Sequence, residues 1–420
     1  MKVAIIGNMN NNGFSIMRYF RDLGVDAHLF YFSNDSSWPM EHFSPEKDTW
    51  EFEKWKQYIH KLNIENCYLA ITGNPIKFIL PPSKKNIKRI FSNYSIIVGS
   101  GIAPALFERI GLSLDIYYPY AIGVESVNDP EFLMQIRRSN FLRKFVLNYV
   151  RQKQIDGIKK AQHCLNSEMS LTKQTFREIG KDFIPLDIPM VYTGERNLAV
   201  SKLPSRILSL ADKINKCDYK VFSHARLLWK REQQFSADEW DKTNKHSDWI
   251  IIGFSEFVKC HPEIRPLLVL TEYGADIVAS KQLCKKLKIE KFVLWIPLMS
   301  RREIMYLLSI CDIGIGEFMI TPGVKWGGVG WEVLSSGKPL IQSFNFTEDN
   351  FFKIFGHKPP PILDAKSSSE ITSHLVEMYI NKDKRIQIGR RSREWFNEFN
   401  GIGLAEKWLA LLSHEDELNF

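Results

Sequence analysis

Short, almost unbroken apolar runs alternate with longer segments of helical period, and the alternation occurs twice. Val3–Gly7 reads as a buried first strand, followed by a polar turn (Asn8–Gly13) and a helix over Phe14–Leu23. Val25–Phe32, Tyr94–Val98 and Leu114–Tyr118 read as further strands. The pattern restarts at Lys220–Ser223 and continues through Pro266–Leu270, Lys291–Ile296, Ile313–Ile315 and Pro339–Ser343. Apolar strands separated by helices imply a mainly parallel sheet covered on both faces. Ligands of such sheets bind beyond the carboxyl ends of the strands. Two series imply two domains of about 200 residues each. The segment 187–218 holds Pro189, Gly194 and Pro204 but no clear strand, and reads as the linker. Trp249–Val258 keeps helical spacing and reads as a helix, and Arg385–Leu412 reads as a helical tail.

Composition narrows the class. With 44% hydrophobic and 25% charged residues, the chain falls among globular proteins. No apolar run approaches the roughly 18–20 residues needed to span a bilayer. The N-terminal apolar run is too short for a secretory signal, so a cytoplasmic location is expected. The 6 cysteines are scattered without a CxxC pair, which fits reduced structural thiols. The 10 histidines show no HxxxH or HxH spacing, so no metal site is expected from sequence-local ligands.

The net charge of +8 is unevenly placed. Arg137, Arg138, Arg143, Lys144, Arg151, Lys153, Lys159 and Lys160 fall in one stretch, offset there by Asp156 alone. Phe141, Leu142, Phe145, Val146, Tyr149 and Val150 recur through it at helical spacing. A basic amphipathic helix over 134–160 suits an anionic membrane surface. It equally suits a core-facing helix with a solvated basic side. Nucleic acid is not expected, because no binding motif accompanies the charge.

Two motifs carry chemistry. In Gly323–Ile341, GVKWGGVGWEVLSSGKPLI, a glycine-rich loop runs into a short helix bearing Glu332 and stopping at Gly337. Glycines let the backbone approach a phosphate or sugar closely, and a helix amino terminus favours an anion. Glu332, two residues into that helix, suits a ribose or sugar diol. The same stretch also reads as an ordinary loop, helix and C-cap glycine. Upstream, Phe222-Ser-His-Ala-Arg-Leu-Leu-Trp-Lys230 places Arg226 just past a strand and Lys230 four residues on. Arginine offers a planar fork and lysine a point charge, together able to neutralise a diphosphate. Taken alone, the pair also reads as surface charge.

Residues 220–345 resemble the donor-binding domain of GT-B glycosyltransferases, especially the retaining family-4 type. The resemblance rests on Arg226 and Lys230, the turn Thr271-Glu-Tyr-Gly-Ala-Asp276, the strand Asp312-Ile-Gly-Ile-Gly316 and the glycine loop before Glu332. It implies an α/β GT-B fold of two Rossmann-like domains with parallel sheets facing an interdomain cleft. It implies that Arg226 and Lys230 bind the donor diphosphate, and Glu332 the ribose. Gly274, Gly327 and Gly328 would lie along the donor. The family's second glutamate falls at Val324 in this chain, and Glu317 or Lys325 is the candidate to contact the donor sugar instead.

The first half resembles the acceptor domain only loosely. Its first turn is glycine-poor and no GxGxxG follows, which argues against a dinucleotide site. Asp35 therefore reads as a turn residue. Gly13, Gly99, Ser100 and Glu125 are the candidate acceptor-side residues. Pro119–Glu125 falls where related enzymes carry a histidine and an acid. The histidine is absent here, and Glu125 is the candidate catalytic group, orienting the acceptor or acting as base. In a retaining mechanism the leaving diphosphate takes the acceptor proton, so no strong protein base is required. The implied organisation is an acceptor domain over 1–195, a donor domain over 196–395 and a final helix over 396–420 packing back on the first domain. The expected reaction is metal-independent transfer of a sugar, with retention, from a nucleotide diphosphate sugar to a glycan or lipid-linked acceptor. No cofactor is expected. A GT-B nucleotide-sugar epimerase, a non-catalytic nucleotide-binding protein and an NAD-binding dehydrogenase are the alternatives.

Overall fold

The computed structural model describes residues 1–32, 44–62, 84–120, 125, 127–167, 172–195, 203–231, 236, 240–241, 243–320 and 327–412. These form two compact units, Met1–Gly194 with Asn400–Phe420, and Glu195–Phe399. The sheet of the first unit contains β1 (Lys2–Ile6), β2 (Asp26–Tyr31), β3 (Ile59–Lys61), β4 (Ile96–Gly99), β5 (Ile116–Tyr117) and β6 (His163–Cys164). The second contains β7 (Tyr219–Ser223), β8 (Pro266–Thr271), β9 (Val293–Ile296), β10 (Ile313–Ile315), β11 (Leu340–Gln342) and β12 (Ile362–Asp364). Their orders are β3-β2-β1-β4-β5-β6 and β12-β11-β10-β7-β8-β9, so the second repeats the first strand for strand when read from β9. Every pairing is parallel, with Val3 beside both Ala27 and Ile96, and Gly314 beside both Phe222 and Leu340.

Alternation along β1 shows why these runs become central strands. Val3 and Ile5 enter one core with Phe14, Met17 and Phe20, while Ala4 and Ile6 enter another with Ile97 and Phe107. Only a strand buried on both faces tolerates apolar residues at every position. The helix Ile402–Leu412 belongs to the Val3 side, where Leu404, Ala405 and Trp408 are buried. Its Trp408 indole donates to the Asp187 carbonyl at 3.0 Å and meets Tyr118 edge-on at 5.1 Å between centroids.

Several expectations change. Strands β3, β6 and β12 have two or three residues each, too few to show a period of two. Residues 187–218 are not a plain linker, because they contain the helix Ser205–Asn215 with Ile207, Ala211 and Ile214 buried on one face. The tail is two helices, Lys382–Phe399 and Ile402–Leu412, separated at Asn400-Gly401, a pair of poor helix formers. The basic run 134–160 is likewise two helices, Pro130–Arg138 and Phe141–Lys160. Asn140 separates them, its side chain accepting from the Arg143 amide at 2.9 Å. Trp249–Val258 lies in the helix Ser247–Cys260, as its spacing indicates. Asp35 and Cys67 lie outside the described residues.

Candidate functional site

The site is built where β7 ends. Leu227 and Leu228 are buried, which turns the flanking Arg226 and Lys230 outward, and both of these are exposed. Backbone bonds pin the loop between them. The Leu227 amide donates to the Tyr273 carbonyl at 2.7 Å, and the Asp276 amide donates to the Leu227 carbonyl at 3.1 Å. One Asp276 carboxylate oxygen accepts from the amides of Trp229 and Lys230 at 2.7 and 2.8 Å. The Trp229 indole donates to Ser280 Oγ at 3.0 Å. Among the described residues neither Arg226 nor Lys230 has a carboxylate partner, and the Lys230 ammonium lies 5.5 Å from the Trp229 ring centroid.

Gly274 has a structural reason to be glycine. Its φ is +120°, and a Cβ there would lie 2.3 Å from the Leu227 carbonyl oxygen. A side chain would displace the loop that carries the two cations, so Gly274 acts on that loop through its backbone.

Glu332 is the fifth residue of the helix Gly328–Ser336, not two residues in, because the helix begins at Gly328. Its carboxylate is buried and held on both oxygens. His224 Nε2 donates to Oε2 at 2.7 Å, and Arg301 Nε donates to Oε1 at 2.8 Å. Burial alone would raise its pKa, but the His224 hydrogen bond and the Arg301 charge outweigh this and hold it down at about 2. Neither partner was singled out from sequence. His224 lies two residues before Arg226, a proximity that the sequence does show, whereas Arg301 reaches Glu332 from another helix.

The amino end of the Gly328 helix has no side-chain cap. Among the described residues a Cβ on Gly328 would meet nothing within 4 Å. Glu317 lies beside it, 3.1 Å from where a Cβ on Gly327 would stand. Glu317 is also paired with Lys245 at 2.9 Å, a second partner not foreseen. Gly337 ends the helix with φ +73°, donating to the Leu334 carbonyl at 3.1 Å. Lys325 and Val324 lie outside the described residues.

The candidates of the first unit sit in a different setting. A Cβ on Gly13 would lie 2.1 Å from the Gly7 carbonyl oxygen, and one on Gly99 would lie 2.7 Å from the Ala103 Cβ. Both glycines therefore serve helix-on-strand packing. Ser100 is buried, its hydroxyl donating to the Ile6 carbonyl at 3.3 Å. Glu125 is buried too, one oxygen accepting from the Gly101 amide and the other from the Tyr120 amide at 3.1 Å. That carboxylate staples the turn after β4 to the chain after β5. Asn8 closes the amino end of the helix Asn12–Asp22, accepting from the Phe14 amide at 2.9 Å.

Two parallel sheets of one strand order, each ending in loops that carry polar groups, define the GT-B fold. No protein-family model matches the sequence, and no characterised protein matches it by sequence. Solved structures match over the whole chain. The Anabaena protein HepE in complex with UDP has a TM-score of 0.54 at 14% identity, covering 98% of this chain and 100% of that one. A glycosyltransferase from Rickettsia africae has a TM-score of 0.56 at 13% identity, covering 99% of each. UDP-GlcNAc 2-epimerase from Methanocaldococcus jannaschii has 0.52 at 14% identity, covering 99% of this chain and 100% of that one. At these identities the likeness establishes the fold.

Proposed function

We propose that the protein is a glycosyltransferase that moves a sugar from a nucleotide diphosphate sugar to a glycan or lipid-linked acceptor, with retention and without a metal. The observation that carries this reading is the second unit's open cation site. Among the described residues Arg226 and Lys230 have no carboxylate partner, and they project from a loop whose backbone is fixed at Leu227, Leu228, Trp229 and Lys230. Two cations on a fixed loop and the Gly328 helix end suit a diphosphate. Glu332, an anion whose oxygens each keep a lone pair beside those taken by His224 and Arg301, suits a ribose diol. In the step proposed, the bond from the sugar C1 to the phosphate oxygen breaks and a bond from C1 to the acceptor oxygen forms. The acceptor proton passes to the departing diphosphate, whose developing charge Arg226 and Lys230 stabilise. The enclosure of Glu125, 1% exposed with backbone amides on both oxygens, supports this route, because it leaves the carboxylate no path to an acceptor as a base. Structural neighbours that bind UDP and UDP-glucose support the donor class.

A thermal-shift series with UDP, GDP, ADP, CMP and NAD tests the site. Stabilisation by one nucleoside diphosphate is expected and identifies the base, whereas stabilisation by NAD alone would overturn the reading. The fold shared with a nucleotide-sugar epimerase keeps one rival open. Incubating the donor without acceptor separates them, since an epimerase converts it and a transferase requires the acceptor.

A further inference from the structure

The helix Phe141–Lys160 divides into two parts that use their residues differently. From Val146 onward one stripe is buried, including Leu147, Val150, Gln154, Gly157 and Ile158. Gly157 approaches the Pro104 backbone so closely that a Cβ would lie 2.1 Å from its oxygen. Three of the four basic residues of these turns, all but the exposed Lys159, are drawn to protein partners. Lys153 and Lys160 both pair with Glu108, at 3.3 and 2.7 Å, and Arg151 donates to the Val127 carbonyl at 2.6 Å.

The first turns behave oppositely. Phe141, Leu142 and Phe145 are 88%, 62% and 61% exposed. At about 100° per residue, Phe141 lies roughly 180° around the helix from the buried Val150. Phe141 and Phe145 therefore point away from their own core, whereas Leu142, one turn before the buried Val146, borders it. Met134, on the preceding helix, adds a fourth exposed apolar side chain at 40%. Arg137, Arg138, Arg143 and Lys144 surround them and are exposed, and residues 134–145 contain no Asp or Glu. Among the described residues Arg137, Arg138 and Lys144 have no carboxylate partner. Three large apolar side chains within one turn and a half form a contiguous patch, which marks a contact surface.

We propose that this corner, Met134–Phe145, docks on an anionic phospholipid bilayer, with Phe141, Leu142 and Phe145 entering the acyl boundary and the four cations meeting lipid phosphates. The combination decides the partner. A second copy placed symmetrically here would bring like charges together, which disfavours self-association. A bilayer surface supplies an apolar layer directly beneath a layer of negative charge, matching apolar tip and basic rim at once. No described helix is long and apolar enough to cross a membrane, so the contact is peripheral. The structure also shortens the candidate segment. Of the four cations beyond Lys144 in this helix, Arg151, Lys153 and Lys160 are held by Val127 and Glu108. Among the described residues no exposed large apolar side chain accompanies Lys159, so the docking surface ends with the first turns.

Vesicle flotation of the full chain, without nucleotide or acceptor, tests the proposal and leaves the donor-site reading untouched whichever way it falls. The wild-type protein is expected to float with vesicles containing phosphatidylglycerol, to stay behind with pure phosphatidylcholine, and to be released by salt. Arg138→Glu with Lys144→Glu should lower anionic-vesicle binding by at least about fivefold, the effect of a single cation near such a surface. Phe141→Ser with Phe145→Ser should lower it at least as far at unchanged thermal midpoint, since both rings are exposed in the folded protein. Failure of the wild type to float with anionic vesicles would overturn the proposal and reassign the patch to a protein partner. Charge-reversal sensitivity with no effect of the serine pair would overturn insertion of the rings.

Discussion

The two units share one strand order, but after β5 the first encloses its charged Glu125, whereas after β7 the second leaves Arg226 and Lys230 exposed. In the first, Asn8 closes the helix end after β1, Ser100 bonds back to Ile6, and Glu125 holds two backbone amides. In the second, the Asp276 carboxylate holds the Trp229 and Lys230 amides of the loop after β7, leaving Arg226 and Lys230 exposed, and among the described residues the Gly328 helix end carries no side-chain cap. Internal satisfaction of polar groups stabilises a turn but leaves little for a ligand. Fixing a loop through main-chain bonds keeps its side chains available. The contrast teaches that equal topology does not make equivalent sites, and that the fixed-but-unpaired pattern is the one to interrogate.

The strongest test breaks a place where the second unit does bury a charge. Glu332→Ala leaves His224 and Arg301 buried without their common partner, which should cost about 3–5 kcal/mol in urea unfolding. A loss below about 1 kcal/mol would show that the clamp is not formed. The pH dependence has a definite sign. The folded carboxyl titrates at about 2, against about 4.3 for an unfolded glutamate. Its stabilisation, on the order of 3 kcal/mol, is therefore complete above about pH 5 and lost as the pH falls toward 2. Wild-type and Glu332→Gln unfolding curves should converge in that window.

Next in size is the mirror experiment in the first unit. Glu125→Ala removes the acceptor of two buried amides and should destabilise by about 2–4 kcal/mol. Nucleotide affinity should stay unchanged, because nothing in that staple serves the donor. A selective loss of affinity at unchanged stability would reverse the contrast and make Glu125 a ligand-facing group. A third effect is smaller. Gly274→Ala forces a side chain at φ +120° against the Leu227 backbone, and should cost about 1–3 kcal/mol in stability. It should also weaken nucleotide binding, as the loop bearing Arg226 and Lys230 shifts. Isothermal titration on the folded variant checks this.

What was legible in the sequence follows from how many residues carry each signal. The strands β1, β2, β7 and β8 were evident because segments of five or six residues rich in Val, Ile, Leu and Phe leave few alternatives. Strands β3, β6 and β12 were not, because edge strands of two or three residues take their structure from neighbours. The helix Ser205–Asn215 was hidden by the Pro204 before it, although Ile207, Ala211 and Ile214 keep its period. The charged residues of the candidate site were visible as residues, but their partners were not. Arg301 meets Glu332 across thirty-one positions, and Lys245 meets Glu317 across seventy-two. Such pairs are set by packing and leave no local spacing. Burial was equally invisible. Glu125 and Arg226 are both charged residues near a strand end, yet one is fully enclosed and the other exposed.

The smallest effect on stability should come from the residues proposed to matter most for binding. Arg226→Ala and Lys230→Ala remove exposed side chains with no carboxylate partner among the described residues, so each should change stability by no more than about 0.5 kcal/mol. Each should nevertheless weaken the preferred nucleoside diphosphate by about 1–3 kcal/mol, the range of a charge-assisted hydrogen bond. The nucleoside without phosphates should bind both variants as it binds the wild type, because the lost contacts are to the diphosphate. That separation of stability from affinity sharpens the comparison with Glu125, where the opposite pattern is expected. If both cation variants retain full diphosphate affinity, the loop after β7 is ordinary surface. The two units would then differ in packing alone.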